Sequence, residues 1–308
     1  MSAREKILIT GGAGQIGELI INELKNNYDI KVMDIKKPRD QVVEFVQGDL
    51  RDIEKVREFT KGIDYIIHLA AYSRERSIPN YPEGWQVNCT ATFNVFESAA
   101  TNNVKKVIFA SSICATGPIT WTSSNHSIEY FPIDELHPTR PHDLYGTSKL
   151  IGENLAWMYT KRSATSFVGL RMATVWFKSD RGIDPGTETI INSYIKDPTA
   201  LEGLPQTEKR RFAVKDLTWQ YVDVRDVVQA FRLGIEKKEI RYGIFNIGAE
   251  DTPSDWDSIK LAKYFYPEVA IREPLIYFVD KKRALWDISK ARKELGYKPV
   301  HNWKEYFK

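Results

Sequence analysis

Residues 7–20, ILITGGAGQIGELI, pass from a short apolar run through closely spaced glycines into a helical pattern. No other stretch constrains the chain as strongly. Glycine permits a tight turn, and its missing side chain lets a diphosphate approach the backbone at the positive end of the following helix. Two frames are open. Gly12, Gly14 and Gly17 fit the G-x-G-x-x-G spacing, whereas Gly11, Gly14 and Gly17 fit G-x-x-G-x-x-G. The next apolar run, IKVMDI, ends near Asp34, close to the interval of roughly 20 residues at which an acidic group meets a ribose. A carboxylate there accepts bonds from both adenosine ribose hydroxyls and repels a 2′-phosphate, which favours NAD over NADP. Lys36, Lys37 and Arg39 follow closely and pull the other way.

The first half of the chain alternates short apolar runs with longer amphipathic stretches. Strands are expected at 6–10, 30–34, 42–46, 64–70, 106–111 and 166–171, and helices at about 15–26, 52–60, 84–103 and 143–162. This alternation gives an α/β fold, a doubly wound parallel sheet with helices on both faces. The second half is less regular. Helices are expected at 185–196, 224–237, 254–265 and 287–296, and strands at 219–224 and 243–248. Asp255 or Ser254 is expected to cap the helix at 254–265. Asp287 or Ser289 is expected to cap the last one, with Gly296 ending it. Residues 1–172 then form a nucleotide-binding domain, and 173–308 form mainly a smaller lobe, some segments of which return to the sheet.

Composition excludes several classes. With 44 basic and 41 acidic residues the net charge is +3, which gives no reason to expect nucleic acid or an anionic membrane as partner. No apolar run reaches the length of a membrane span. Two cysteines, Cys89 and Cys114, build no disulfide framework, and with no secretory signal visible a cytosolic location is expected. Five scattered histidines without a close His/Cys/carboxylate group argue against a metal site.

The segment YGTSK places Tyr145 and Lys149 four apart, on one face of a helix. An ordinary tyrosine, with a pKa near 10, is a poor base at neutral pH. A neighbouring ammonium stabilises its phenolate, and the tyrosine then takes a hydroxyl proton while hydride leaves. Spacing alone decides little, because Tyr277 and Lys281 repeat it in PLIYFVDKK, a stretch resembling a strand or loop. Tyr145 differs by opening a long helix after the fifth strand, and Tyr277 reads as packing. Ser111 and Ser112 close that strand at the carboxyl edge of the sheet, where ligands bind in open α/β sheets. Either hydroxyl serves to orient a reacting oxygen or to cap the turn.

With these parts in order, the chain resembles the extended short-chain dehydrogenase/reductase family, also called the NAD-dependent epimerase/dehydratase family. TGGAGQIG is similar to the family's T-G-x-x-G-x-x-G, so Gly11, Gly14 and Gly17 are the matched glycines, with Gln15 and Ile16 between them. GDLRD resembles the segment whose Asp49 and Leu50 meet the adenine. HLAA resembles the segment whose Leu69, Ala70 and Ala71 line the cofactor. VNCTATFNVFESA resembles the helix whose asparagine, here Asn88, supports the active site. The catalytic Ser or Thr of the family commonly lies five residues before a glycine, which is Ser112 before Gly117. The resemblance implies a Rossmann fold with a smaller substrate lobe, NAD as cofactor, and Ser112, Tyr145 and Lys149 as the catalytic group. It also implies a homodimer through the helices at 84–103 and 143–162.

The departures from the family pattern bear on substrate. UDP-sugar epimerases usually carry an arginine that meets the diphosphate where this chain has Trp219, and an asparagine after the sixth strand that LRMATVWF lacks. A late R-P-G-D segment is also missing. A buried phosphate needs charge-assisted partners, and Arg171, Arg181, Arg210, Arg211 and Arg225 remain as sources elsewhere. LYGTSKLIGENLAWMY is similar to the matching helix of uronate and other free-sugar dehydrogenases. The expectation is an NAD-dependent oxidoreductase acting on a sugar hydroxyl, with a UDP-sugar 4-epimerase holding tightly bound NAD as the alternative. A dehydratase is disfavoured by Ile113 and Cys114 where an acid pair is usual. A non-catalytic NAD sensor is disfavoured by retention of Ser112, Tyr145 and Lys149. Trp176, Phe177, Trp219, Trp256 and Trp286 are candidates to line a sugar site, since aromatic faces stack on sugar C–H surfaces, but read mostly as core; Cys114 reads as packing, and His126, His137 and His142 as exposed.

Overall fold

The computed structural model describes residues 4–39, 43–73, 77–117, 128–177, 195–201 and 219–306. Within the first half, β1 (Lys6–Thr10), β2 (Asp29–Asp34), β3 (Glu44–Gln47), β4 (Tyr65–His68) and β5 (Lys106–Ser112) alternate with helices. These helices are α1 (Gln15–Leu24), α2 (Ile53–Phe59), α3 (Tyr81–Trp85), α4 (Ala91–Thr101) and, after β5 and a short β6 (Tyr130–Phe131), α5 (Leu144–Arg162). Further on lie β7 (Ser166–Met172), β8 (Thr174–Trp176), β9 (Tyr221–Asp223), α6 (Val224–Glu236), β10 (Tyr242–Ile247), α7 (Ser258–Phe265), β11 (Ala270–Ile271) and α8 (Pro274–Val279).

Seven strands form one parallel sheet in the order β10-β7-β5-β4-β1-β2-β3. Successive strand residues face opposite sides, and the core divides accordingly. Ile7 and Ile9 of β1 pack on one face with Ile20, Ile21 and Leu24 of α1 and Val227 and Phe231 of α6. Leu8 of the same strand packs on the other face with Val95, Phe96 and Ala99 of α4 and Ala156 and Tyr159 of α5. The central strand β4 is buried throughout, while the edge strand β3 exposes both ends. That contrast follows from having two neighbours or one. β7 closes the run of strands from the first half, and β10, from the second half, is added beside it, so both halves build the sheet.

Several elements differ from the sequence expectation. The expected helix at 84–103 is three pieces, with a π-helical turn, Gln86–Thr90, between α3 and α4. α7 starts at Ser258 with Asp257 at its N-cap, not at Ser254 or Asp255. Those two are engaged with residue 195, since the Asp255 N–H and the Ser254 hydroxyl both donate to the Ile195 carbonyl. Tyr277 lies in α8 rather than a strand or loop. It is nonetheless buried, and its hydroxyl donates to Ala284 O at 3.3 Å. The expected helix at 287–296 includes a π-helical turn, Ala291–Leu295, that ends at Gly296 in the left-handed region. Most of the expected helix at 185–196 lies outside the described residues.

Candidate active site

A cleft of about 840 Å³ opens along the carboxyl edge of the sheet. It runs from Asp34 at the end of β2 to Met172–Phe177 after β7. Those strands are four steps apart, about 19 Å at the usual strand spacing.

The glycine turn lines the cleft through Gly11, Gly14 and Gly17, with Gln15 and Ile16, while Gly12 faces the core. Gly11 has φ +75°, and a Cβ there would stand 2.6 Å from the backbone nitrogen of Ala70. A side chain is therefore excluded by conformation and by space. At Gly17 a Cβ would meet Gly12 Cα at 2.6 Å, and at Gly12 it would meet Val32 Cγ1 at 2.8 Å. Gly14 is the N-cap of α1 and supplies no side-chain cap, so the helix end is left to a ligand or solvent. The bare backbone thus forms a cradle suited to a diphosphate.

Asp34 lines the same end. Its Oδ2 accepts from the Ala13 N–H at 3.0 Å and its Oδ1 from the Lys36 N–H at 3.1 Å. The carboxylate therefore braces the turn as well as facing the cleft. Of the nearby cations, Lys36 lines the cleft and Arg39 pairs with Glu18. Asp49 and Leu50 follow on the neighbouring loop. Both Asp49 oxygens accept from Arg51 Nε, at 3.0 and 2.9 Å, and these bonds hold its carboxyl below the usual range. Arg51 also reaches Glu83 on α3 at 3.2 Å, tying the loop across the cleft rim. Asn94 fixes the loop from below by donating to Leu50 O at 2.9 Å.

Leu69, Ala70 and Ala71 line the cleft beyond β4. Behind them, His68 bonds Thr10 through Nδ1 (2.7 Å) and Thr92 through Nε2 (3.0 Å). Burial drives its pKa down to about 3, so it is neutral. Thr92 donates to Asn88 O at 2.6 Å. Asn88 itself is buried behind the cleft wall. Its Oδ1 accepts from the Tyr72 N–H at 2.8 Å and its Nδ2 donates to Ser148 Oγ at 3.2 Å. It ties the loop at Tyr72 to α5 and is a positioning group.

At the other end, β5 and β7 finish side by side, with Ser112 opposite Met172. The Ser111 hydroxyl donates to Glu153 at 2.6 Å. Glu153 in turn takes Arg171 Nε (2.8 Å) and Nη2 (2.7 Å) in a buried pair. Ser112 lines the cleft and also accepts from the Cys114 N–H at 3.1 Å, capping the short turn 113–116. The first turn of α5 rests directly on that turn, because a Cβ at Gly146 would stand 2.5 Å from Cys114 O. Asp143 caps α5 through the Gly146 N–H at 2.6 Å. This contact brings Tyr145 and Lys149 to the same cleft as Ser112. Lys149 Nζ lies 5.5 Å from the Tyr145 ring centre and donates to Ala110 O at 3.0 Å, and burial lowers its pKa to about 8. Cys114 also lines the cleft, but burial raises its thiol to about 12, which makes it a poor nucleophile at neutral pH.

The aromatic residues divide. Trp219 and Trp286 are core, whereas Trp176 and Phe177 line the cleft beside β7. His142 is exposed, but His137 is buried, with its Nε2 accepting from the Glu129 N–H and its Nδ1 facing Pro138 O. Arg225 is held by Asp223 (2.7 Å) and Glu305 (2.8 Å). His126, Arg181, Arg210 and Arg211 lie outside the described residues. Sequence reasoning missed Arg51, Glu83, Asn94, His68 and Glu153. Of these, Arg51 in GDLRD, His68 in HLAA, Asn94 in VNCTATFNVFESA and Glu153 in LYGTSKLIGENLAWMY stood in segments already singled out, and only Glu83 did not.

The sequence profile of the NAD dependent epimerase/dehydratase family matches residues 7–248. A putative UDP-glucose 4-epimerase of Methanocaldococcus jannaschii is 30% identical over 98% of this chain and 96% of its own length. A uronate dehydrogenase of Agrobacterium fabrum is 31% identical over 57% of this chain and 68% of its own. The solved structure of MoeE5 in complex with UDP-glucuronic acid and NAD has the same fold, with a TM-score of 0.67 over 98% of this chain and 96% of that one, at 22% identity.

Proposed function

The chain belongs to the NAD-dependent epimerase/dehydratase family, and from that premise we propose that it oxidises a hydroxyl of a free sugar or sugar derivative with net transfer of hydride to NAD. The observation that carries this choice is the state of the candidate clamp arginines among the described residues. A sugar diphosphate needs charge-assisted partners. Arg171 is bound to Glu153 behind the sheet, Arg225 is bound to Asp223 and Glu305, and Trp219 stands buried at the position matched to the clamp arginine of UDP-sugar epimerases. Similarity to uronate dehydrogenase supports the same choice.

NAD, when bound, supplies the hydride acceptor. Gly11, Gly14, Gln15, Ile16 and Gly17 hold its diphosphate, Asp34 its adenosine ribose, Asp49 and Leu50 its adenine, and Leu69, Ala70 and Ala71 its passage toward β5. Ser112 and Tyr145 hold the substrate oxygen. Tyr145 takes the hydroxyl proton as the C–H bond breaks, so a carbonyl forms and the two electrons leave with the hydrogen. Lys149 favours the deprotonated tyrosine through its charge and also binds the ribose. Asn88 keeps α5 in place against the Tyr72 loop.

The second reading is a UDP-sugar 4-epimerase that returns the hydride to its own substrate. It is favoured by the length of the match to the M. jannaschii protein. The deciding experiment supplies purified protein with NAD and aldoses, uronates, polyols or UDP-sugars in turn. NADH formed with a free sugar is the expected result. No NADH with any of them, together with interconverted UDP-sugars and no added NAD required, sinks the dehydrogenase reading. A homodimer through α4 and α5, which expose Phe93 and Trp157, is part of the same proposal. A monomeric mass in solution scattering refutes it.

A further inference from the structure

Trp176, the last residue of β8, lines the cleft beside β7 and is held by residues far away in sequence. Its ring centre lies 4.9 Å from that of Tyr221 and 5.4 Å from that of Tyr306, the second pair nearly perpendicular. In the β8–β9 pair it stands opposite Asp223. The Tyr306 hydroxyl donates to Asp223 Oδ2 at 2.8 Å and lies 3.1 Å from the Trp176 carbonyl oxygen. Within the same 3-10 turn, Trp303–Tyr306, Glu305 is paired with Arg225. The Trp303 N–H donates to the Tyr221 hydroxyl at 3.0 Å and its indole to Asp251 at 3.1 Å. The Tyr221 hydroxyl donates to Asp251 at 2.6 Å. The polar groups of this turn thus converge on the residues that frame Trp176. Asp223 stays ionised at neutral pH, because the bonds from Arg225 and Tyr306 outweigh the burial that would raise its pKa.

We propose that Trp303–Tyr306 is a specificity-determining part of the substrate site that acts through Trp176. The turn fixes the depth and tilt of the indole, which forms the apolar wall for the carbon face of a sugar ring. This rests on the reading above, in which that end of the cleft takes the sugar. Pockets for small polar ligands are walled by such rings and oriented by few polar groups, and small displacements of the wall are costly. Arg225 then serves as a tether for the turn.

Tyr306→Phe keeps the ring and removes the hydroxyl, and Glu305→Gln loosens the turn separately. Acrylamide quenching of tryptophan emission, with Trp176→Phe subtracted to isolate Trp176, reads the wall without any substrate. At least about a twofold rise in the Trp176 quenching constant is expected in both variants, since its packing loosens. With D-glucose, D-galacturonate and UDP-glucose as probes, KM for whichever is turned over rises about fivefold, kcat changes less than about twofold, and the Kd for NAD is unchanged. Unchanged quenching in both variants overturns the proposal. So does a rise in the NAD Kd that parallels KM, or a fall in kcat at constant KM. Increased quenching with none of the three sugars oxidised supports the strut and counts instead against the oxidation reading.

Discussion

The two ends of the cleft are built differently. Around Asp34 the walls are built largely on backbone: a glycine turn, a loop pinned by Asn94, and strand ends in fixed register, to which Gln15, Ile16, Asp34 and Lys36 add side chains. Around Ser112 and Trp176 the walls are side chains from β5, the turn after it, α5, β7 and β8, with β9 and the turn at 303–306 packed against Trp176. A backbone wall accepts one ligand shape and tolerates little change. A side-chain wall can be altered one residue at a time, which is how one fold comes to serve many substrates.

The sharpest separation of the two ends is Tyr145→Phe. Turnover is expected to fall by about 10³-fold or more, while titration calorimetry finds NAD binding within about twofold of wild type, as no backbone wall is touched. Normal turnover would remove Tyr145 from the chemistry. Gly11→Val attacks the opposite end. Its φ of +75° and the 2.6 Å approach to Ala70 predict about a 100-fold loss of NAD affinity and roughly 2–3 kcal/mol of stability in denaturant titrations. Wild-type binding in this variant would mean that the cradle is softer than its geometry. Asp34→Asn is milder. About a tenfold weaker NAD complex is expected from losing charge-assisted bonds, with a relative gain for NADP. Equal loss for both cofactors would assign Asp34 to bracing the turn alone.

The last effect, read as a slope against pH, concerns the bonds joining the two ends. His68 titrates near 3 in the fold against an ordinary 6.5. Between those values the unfolded chain binds a proton that the folded chain does not, so the histidine makes stability fall as pH drops from about 6.5 toward 3. Above that window it has no effect. His68→Gln is expected to remove this one-proton slope from urea midpoints measured across the window. An unchanged difference between wild type and variant at every pH would refute the shift.

What is legible in the sequence follows the same division. Gly11, Gly14, Gly17, Asp34, Tyr145 and Lys149 announce themselves because a turn, a strand end or a helix face fixes their mutual placement within a few residues. Ser112 needs its strand end, which offers Ser111 as well, and the five-residue spacing to Gly117 that the family resemblance supplies. Arg51 with Glu83, or Trp176 with Tyr306, carries no such signal, since these contacts depend on how remote segments pack. His137 misleads for the same reason: a histidine in a loop reads as wet until Glu129 and Pro138 are seen to close on it. The breaks around Asn88 are hidden because a π-turn keeps the chain helical and shifts the spacing by a single residue.

That π-turn sets a rotational phase. Each residue of an α-helix turns the chain by about 100°, and the turn at Gln86–Thr90 accommodates one residue beyond what a regular helix would hold. α3 and α4 therefore behave as two gears offset by a single tooth. On either side of the turn Glu83 of α3 pairs with Arg51 and Asn94 of α4 donates to Leu50 O, while Asn88 within it donates to Ser148. The number of residues in this turn therefore helps to set which groups meet, beside their identity.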